Sequence, residues 1–197
     1  MKSSEGAMAM KVLILNASPR KNGTTTKILS AIKKGLLKKH QVEWVDIARL
    51  DMKPCVGCLK CRPDKICAMQ HDDAHIVGKS IMEADALVVG TPTYWGNMSG
   101  QLKVLFDRCV PIFEYTNGLK IKHVQKGKTA MIIVTSAAPF PVNLLGSQGR
   151  GAVKSVKTVL KAGGYKITNV LNISGTNHFE KHSKKLLKKA IKLGENI

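Results

Sequence analysis

The chain has 197 residues, a length that suits one sizeable domain. Its 44% hydrophobic and 23% charged residues are ordinary globular composition and exclude a disordered or fibrous chain. Apolar runs such as ALVVG at 86–90 fall far short of the about 20 residues that cross a bilayer, and VLILNA at 12–17 is shorter than the apolar part of a signal peptide. We therefore expect a cytoplasmic protein with a disordered lead-in at 1–9 and a single domain at 10–197.

The charge is strongly unbalanced. Thirty-two Lys and Arg residues against 13 Asp and Glu residues give a net charge of +19, which favours anionic partners. Nucleic acid and an acidic redox protein both fit that description. Aromatic residues make up only 5% of the chain, and no nucleic-acid-binding motif with stacking residues occurs. A basic anion- or nucleic-acid-binding protein is therefore the alternative from another functional class.

The predicted elements alternate along the chain. Short apolar runs predict strands, and apolar residues three or four positions apart predict helices. The strands are predicted at 11–16, 42–48, 86–91, 128–136 and 166–174, and the helices at 24–40, 72–83, around 102–106, around 153–160 and around 186–191. This alternation is typical of a parallel sheet with helices on both faces. Because ligands in such sheets bind beyond the carboxyl ends of the strands, we expect the site in the loops after strands one, three and four.

The loop after the first strand, SPRKNGTTT at 18–26, has the groups of a phosphate site. It combines hydroxyls and a guanidinium with the free backbone N–H groups of a helix start. It lacks the lysine pattern of the P-loop, and the chain has no G-x-G-x-x-G, so ATP hydrolysis and a Rossmann dinucleotide site are disfavoured. A polar turn that only caps the helix is the alternative.

The loop after the third strand, TPTYWGNMSGQLK at 91–103, contains two aromatic residues where loops are normally polar. Exposed there, Tyr94 and Trp95 would border a flat ring. The alternative is that both side chains fold back onto the core.

Four cysteines follow the second strand, with the spacing C-x2-C-x2-C-x5-C. Structural disulfides are not expected in a cytosolic chain. Zinc sites usually pair two C-x2-C units across a longer insert, whereas close-set cysteines are typical of iron–sulfur clusters. The candidate ligands are Cys55, Cys58, Cys61 and Cys67.

Two further features predict structure rather than chemistry. Cys109 follows an apolar helical pattern and is expected to be a buried small residue. Asp72 and Asp73 suit the start of a helix, and we expect His71 and His75 beside them to be exposed to solvent.

Three stretches together resemble the NAD(P)H-dependent FMN reductase family of flavodoxin-like proteins, and most nearly its iron–sulfur flavoprotein branch. They are NASPRKNGTT, PCVGCLKCRPDKICAMQHDD and ADALVVGTPTYWGNMSGQLKVLFDR, in this order, and the resemblance covers about 11–175. It implies an α/β fold, a flavodoxin-like three-layer sandwich with a five-stranded parallel sheet.

The resemblance also implies a cofactor and the residues that hold it. The FMN phosphate would be held by Ser18, Arg20, Thr24 and Thr25. The isoalloxazine would be lined by Pro92, Thr93, Tyr94, Trp95 and Gly96, with Ser136 and Ala137 on its other side. A [4Fe–4S] cluster would be ligated by Cys55, Cys58, Cys61 and Cys67, although flavin reductases outside that branch carry FMN alone.

The implied activity needs no catalytic side chain, because the flavin carries the chemistry. NAD(P)H would be the electron donor, and a small-molecule redox substrate or an acidic ferredoxin would receive the electrons. The alternative within the family is a ferredoxin-linked electron-transfer flavoprotein without NAD(P)H activity. The resemblance further implies a homodimer or homotetramer.

Overall fold

A computed structural model describes residues 9–62, 66–117, 119–139, 148–176 and 183–197. Its main sheet has five strands in the order β2-β1-β3-β6-β7, and every neighbouring pair is parallel. This is the flavodoxin-like strand order, so the expected fold is confirmed. A separate antiparallel hairpin consists of β4 and β5. The strands are β1 (Lys11–Asn16), β2 (Gln41–Asp46), β3 (Ala86–Pro92), β4 (Glu114–Asn117), β5 (Lys120–His123), β6 (Thr129–Thr135) and β7 (Lys166–Ile173).

Helices cover both faces of the sheet. They are α1 (Thr24–Leu36), α2 (Asp73–Glu83), α3 (Gly100–Arg108), α4 (Val110–Phe113), α5 (Gln148–Ala162) and α6 (Ser183–Glu195). Side chains alternate along β1, so that Leu13 faces α2, α3 and α5 while Ile14 faces α1 and α6. The central strands are buried on both faces, which explains their continuous apolar sequences.

Some parts of the fold differ from the sequence-based expectation. The first helix ends at Leu36 rather than at residue 40. Helix α4 and the β4–β5 hairpin were not predicted, although the Asn-Gly pair at 117–118 is a hairpin signal. Residues 1–8 of the expected lead-in lie outside the described residues. None of the helices among the described residues is long and apolar enough to cross a bilayer.

Backbone hydrogen bonds join the loops at the carboxyl edge of the sheet. The amide of Ala17 donates to the carbonyl of Gly90 at 2.8 Å, which links the loop after β1 to β3. The amide of Thr93 donates to the carbonyl of Thr135, also at 2.8 Å, which links the loop after β3 to β6. These three loops are therefore held side by side.

Helices α1 and α6 approach each other through two glycines. A β-carbon on Gly35 would overlap the carbonyl oxygen of Ile191, and one on Gly194 would overlap the carbonyl oxygen of Ile32. The obstacles are backbone atoms, so they cannot rotate away. The position of α1, and of the loop that precedes it, depends on this contact.

We expect Gly194→Ala to lower the free energy of unfolding by about 1–3 kcal/mol because the added methyl group forces the two helices apart. Urea denaturation measures the change. The matched control is Gly100→Ala at the start of α3, where a β-carbon meets nothing within 4 Å and stability should stay the same or rise slightly. A Gly194→Ala protein as stable as the wild type would contradict the packing described here.

Candidate cofactor site and cysteine loop

A cavity of about 490 Å³ opens at the carboxyl edge of the sheet, between the loops after β1, β3 and β6. Eight of the predicted cofactor residues line it: Ser18, Arg20, Thr24, Thr25, Pro92, Thr93, Tyr94 and Ala137. Five lining residues were not predicted: Pro19, Asn22, Gly23, Thr135 and Thr176. Loops that are distant in sequence therefore form one site.

The loop after β1 is folded tightly by its own side chains. The amide of Ser18 donates to Asn16 Oδ1 at 3.2 Å, and the amide of Arg20 donates to Ser18 Oγ at 3.3 Å. The hydroxyl of Thr26 donates to the carbonyl of Arg20 at 2.9 Å. This network fixes the loop at the entrance of α1 without any ligand.

The first backbone N–H groups of α1 remain available as hydrogen-bond donors. Its N-cap is Gly23, which has no side chain to accept from the first amides, and its first turn contains no acidic residue. The capping bond that the alternative interpretation expects is therefore not made by the N-cap residue. An exposed helix start with Arg20 beside it is favourable for an anion such as a phosphate.

Four buried hydroxyls lie in or next to the site. Thr25 Oγ1 and Thr135 Oγ1 are 2.7 Å apart and buried, so they join the first loop to β6. Thr93 Oγ1 and Ser136 Oγ are buried and have no hydrogen-bond partner among the described residues. A buried hydroxyl without a partner costs about 1–3 kcal/mol, and Thr93 lines the cavity. Thr93 is thus available to a bound molecule.

The aromatic pair lies on a tight turn. The amides and carbonyls of Tyr94 and Asn97 bond to each other at 3.0 and 2.9 Å. Trp95 and Gly96 at its tip have positive φ angles of 50° and 76°, and such a value is uncommon for tryptophan. The turn is supported from behind by α5, since a β-carbon on Gly151 would overlap the carbonyl oxygen of Gly96.

The structure of this turn contradicts two expectations about its aromatic residues. Tyr94 is 49% exposed and Trp95 is fully exposed, so the alternative in which both fold back onto the core is wrong. Tyr94 lines the cavity, but Trp95 and Gly96 at the tip do not. Ser136 also lies behind the cavity wall rather than on it, next to Ala137, which is on the wall.

The four cysteines of the loop after β2 line a second cavity of about 70 Å³ together with Arg108. All four are free thiols, and Gly57 and Leu59 between them adopt positive φ angles of 67° and 58°. Burial raises the pKa of the Cys61 thiol. In the described part of the chain no three His, Cys, Asp or Glu side chains are arranged to hold a metal ion. The loop therefore places four thiols around one cavity, but their sulfur atoms are not arranged as ligands of a single metal ion.

Arg108 is a buried charged residue beside this loop that the sequence did not reveal. Its side chain is fully buried, and it donates to both carboxylate oxygens of Asp72, at 2.6 and 3.0 Å. It also donates to the carbonyl of Lys53 at 2.7 Å and to Cys67 Sγ at 3.1 Å. Partial burial favours the protonated acid, but the bonds from Arg108 prevail and hold the pKa of Asp72 below its ordinary value of 3.8.

Asp72 is also the N-cap of α2, as predicted. It accepts from the amide of Ala74, and His75 Nδ1 accepts from the amide of Asp72 in a capping box. The expectation that His75 is solvent-exposed is wrong, because its side chain is only 10% exposed. Cys109 is buried as expected, and burial raises its pKa to about 12, so it is not a ligand candidate.

The strand order defines a flavodoxin-like protein. The sequence pattern of the NADPH-dependent FMN reductase family matches residues 10–159, and the chain belongs to that family.

Individual relatives agree with this assignment. An iron-sulfur flavoprotein of Methanocaldococcus jannaschii is 34% identical over 104 residues, which cover 52% of this chain and 53% of that protein. An iron-sulfur flavoprotein of Clostridioides difficile is 28% identical over 159 residues, 79% of this chain and 64% of that protein. The chain thus spans between half and two thirds of the length of these curated relatives.

A solved structure agrees in fold. An FMN-dependent NADH-azoreductase of Bacillus anthracis, in complex with FMN, superposes with a TM-score of 0.70 at 13% identity, over 95% of this chain and 96% of that one.

We expect Asp72→Asn to lower the free energy of unfolding at pH 7 by about 3 kcal/mol, because it leaves Arg108 buried without a compensating charge. The depressed pKa of Asp72 stabilises the fold above pH 3.8, and this contribution is lost as the pH falls through the folded-state pKa. The variant should therefore lose less stability than the wild type between pH 5 and pH 2, as measured by urea denaturation across that interval. Asp107→Asn, which breaks an exposed pair with Lys103, is the control and should change stability little. Equal effects of the two substitutions would contradict the assigned role of Asp72.

Proposed function

We propose that the protein is an FMN-dependent oxidoreductase that uses NAD(P)H as electron donor and passes the electrons to an external acceptor. The single observation that carries this proposal is the 490 Å³ cavity, which combines an anion-binding helix start with the partnerless hydroxyl of Thr93. Membership of the NADPH-dependent FMN reductase family supports it.

The described residues fit the two ends of FMN. The phosphate would lie at the start of α1, held by Arg20, by the hydroxyl of Ser18 and by free backbone amides. The polar edge of the ring would take the hydroxyl of Thr93, while Tyr94 and Ala137 border the ring. Trp95, fully exposed at the tip of its turn, would lie at the rim.

The cavity wall contributes almost no acid–base chemistry. Arg20 and Tyr94 are the only ionisable side chains among its described lining residues, and neither is a general base at neutral pH. FMN, when bound, accepts hydride and releases electrons singly or in pairs. The side chains of this chain therefore bind and orient the cofactor and exclude water from it.

We also propose that the four cysteines hold a [4Fe–4S] cluster. The donor chemistry fits, since four thiols surround one cavity and close-set cysteines are typical ligands of such clusters. Curated relatives that bear the name iron-sulfur flavoprotein support this assignment. The same observations favour a second candidate function, an electron-transfer flavoprotein that receives electrons from a ferredoxin rather than from NAD(P)H.

One anaerobic experiment tests the proposal and separates the two candidates. The purified protein is loaded with FMN and mixed with NADPH or NADH, and flavin bleaching is followed at 450 nm. Rapid bleaching is expected for an NAD(P)H-dependent oxidoreductase. Bleaching by a reduced ferredoxin but by neither nucleotide would assign the second function, and failure to bind FMN would overturn both.

We expect Thr93→Val to weaken FMN binding by about 2- to 10-fold, which corresponds to one lost hydrogen bond. Since Thr93 Oγ1 has no partner among the described residues, the substitution should leave the stability of the FMN-free protein unchanged or slightly higher. A flavin titration and a thermal unfolding curve give the two values. Unchanged affinity would remove Thr93 from the proposed site.

An acidic redox protein is the partner that we propose for electron exchange. No Asp or Glu occurs between Glu114 and Glu180, and α5 in this interval carries a row of four cations along one groove. They are Arg150, Lys154, Lys157 and Lys161. Their spacing places them on one side of the helix over about 16 Å. A surface of this kind accelerates the approach of an acidic protein.

We expect Lys154→Gln with Lys157→Gln to slow electron exchange with an acidic ferredoxin by about 5-fold at low salt, the equivalent of about 1 kcal/mol for two surface charges. The difference should vanish in high salt. The control pair is Lys188→Gln with Lys189→Gln on α6, which removes the same charge from another exposed helix face. Equal slowing by both pairs would indicate a general charge effect instead of docking at α5.

A further inference from the structure

We propose that Arg108 is a positioning residue that holds the cysteine loop closed and donates a hydrogen bond to the sulfur of Cys67. The inference rests on the proposed [4Fe–4S] assignment and names the residue on which that site depends. Nothing in the spacing of the cysteines indicates it, because Arg108 lies 41 residues after Cys67.

One guanidinium connects the two ends of the loop. Lys53 lies two residues before the first cysteine, and Cys67 is the last of the four. Arg108 Nη1 donates to the carbonyl of Lys53 at 2.7 Å, and Arg108 Nε donates to Cys67 Sγ at 3.1 Å. The loop of cysteines is therefore tied at its base by a single side chain from α3.

The guanidinium is itself fixed from the opposite side. Asp72 accepts from it through both oxygens and also accepts from the amide of Lys53 at 3.3 Å. His75, the capping-box partner of Asp72, places its Nε2 3.0 Å from the carbonyl of Cys67. Each end of the loop thus has a second attachment, and both attachments start from α2.

The burial of Arg108 lowers the stability of the fold. A fully buried arginine loses several kcal/mol of hydration, and Asp72 offsets this only in part. A hydrogen bond from a cation to a cysteine sulfur stabilises negative charge on that sulfur. Hydrogen bonds of this kind around metal ligands typically change metal affinity 10- to 100-fold, and those to cluster sulfurs help set the reduction potential.

Arginine is required for geometric reasons. Its planar guanidinium directs separate N–H groups at Asp72, Lys53 and Cys67 at the same time. A lysine in the same place keeps the charge but has one nitrogen, which cannot reach all three partners. Arg108→Lys is therefore the informative substitution, because it separates geometry from charge.

The test uses the full chain, with FMN bound, reconstituted anaerobically with ferric iron, sulfide and dithiothreitol, which reduces part of the iron to the ferrous state. We expect Arg108→Lys to reduce iron affinity by about 10- to 100-fold and to shift the reduction potential of the remaining cluster to a lower value. FMN affinity should match the wild type, because Arg108 does not line the FMN cavity, and this match shows that the variant is folded. Lys103→Gln, an exposed cation on the same helix, is the control and should leave both cluster values unchanged.

The outcomes distinguish this inference from the cluster assignment. A wild-type protein that takes up no iron overturns the cluster and this inference with it, whereas the FMN proposal is judged separately by flavin binding. A loaded wild type together with an unchanged Arg108→Lys protein overturns the role of Arg108 alone. If Arg108→Lys does not fold, Asp72→Asn keeps Arg108 but removes the carboxylate that orients it, and a lower iron affinity than that of the wild type is expected. Unchanged iron affinity in that variant overturns the inference.

Discussion

The alignment of parallel strands at one edge of the sheet is the constraint on which the rest of the structure depends. Parallel pairing places the ends of β1, β3 and β6 side by side, and backbone bonds such as Thr93 to Thr135 continue that pairing into the loops. The phosphate-type loop, the aromatic turn and the Thr25–Thr135 contact follow from this alignment. The close glycine contact between α1 and α6 then fixes the helix whose first turn lines the proposed phosphate site.

The two candidate sites are built in different ways. The FMN cavity is formed by short loops that are rigid through their own hydrogen bonds, and it retains an unsatisfied hydroxyl on its wall. The cysteine loop instead takes its shape from a buried ion pair between α2 and α3, with the thiols left free. Among the described residues, the two cavities therefore have no lining residue in common, although both belong to one domain.

Strands and loops that depend on local sequence patterns could be predicted from the sequence. Buried apolar runs located all five strands of the main sheet, and the position of Ser18 and Thr25 after the first of them located a loop that lines the cavity. Arg108 was missed because its partner Asp72 lies 36 residues away, and a charged residue at the end of a helix is ordinarily exposed. Thr135 and Thr176 were missed for a similar reason, since only the folded sheet brings them to the cavity. Trp95 was assigned to the ring, but its left-handed backbone places it at the tip of the turn.

The content of FMN, iron and acid-labile sulfide per chain, measured in protein purified without oxygen, is the direct test of both proposed cofactors. We expect one FMN together with about four irons and four sulfides per chain. FMN without iron would remove the cluster and leave a flavin oxidoreductase whose cysteine loop has another role. A folded chain that neither contains FMN nor binds it when FMN is added would contradict the central claim.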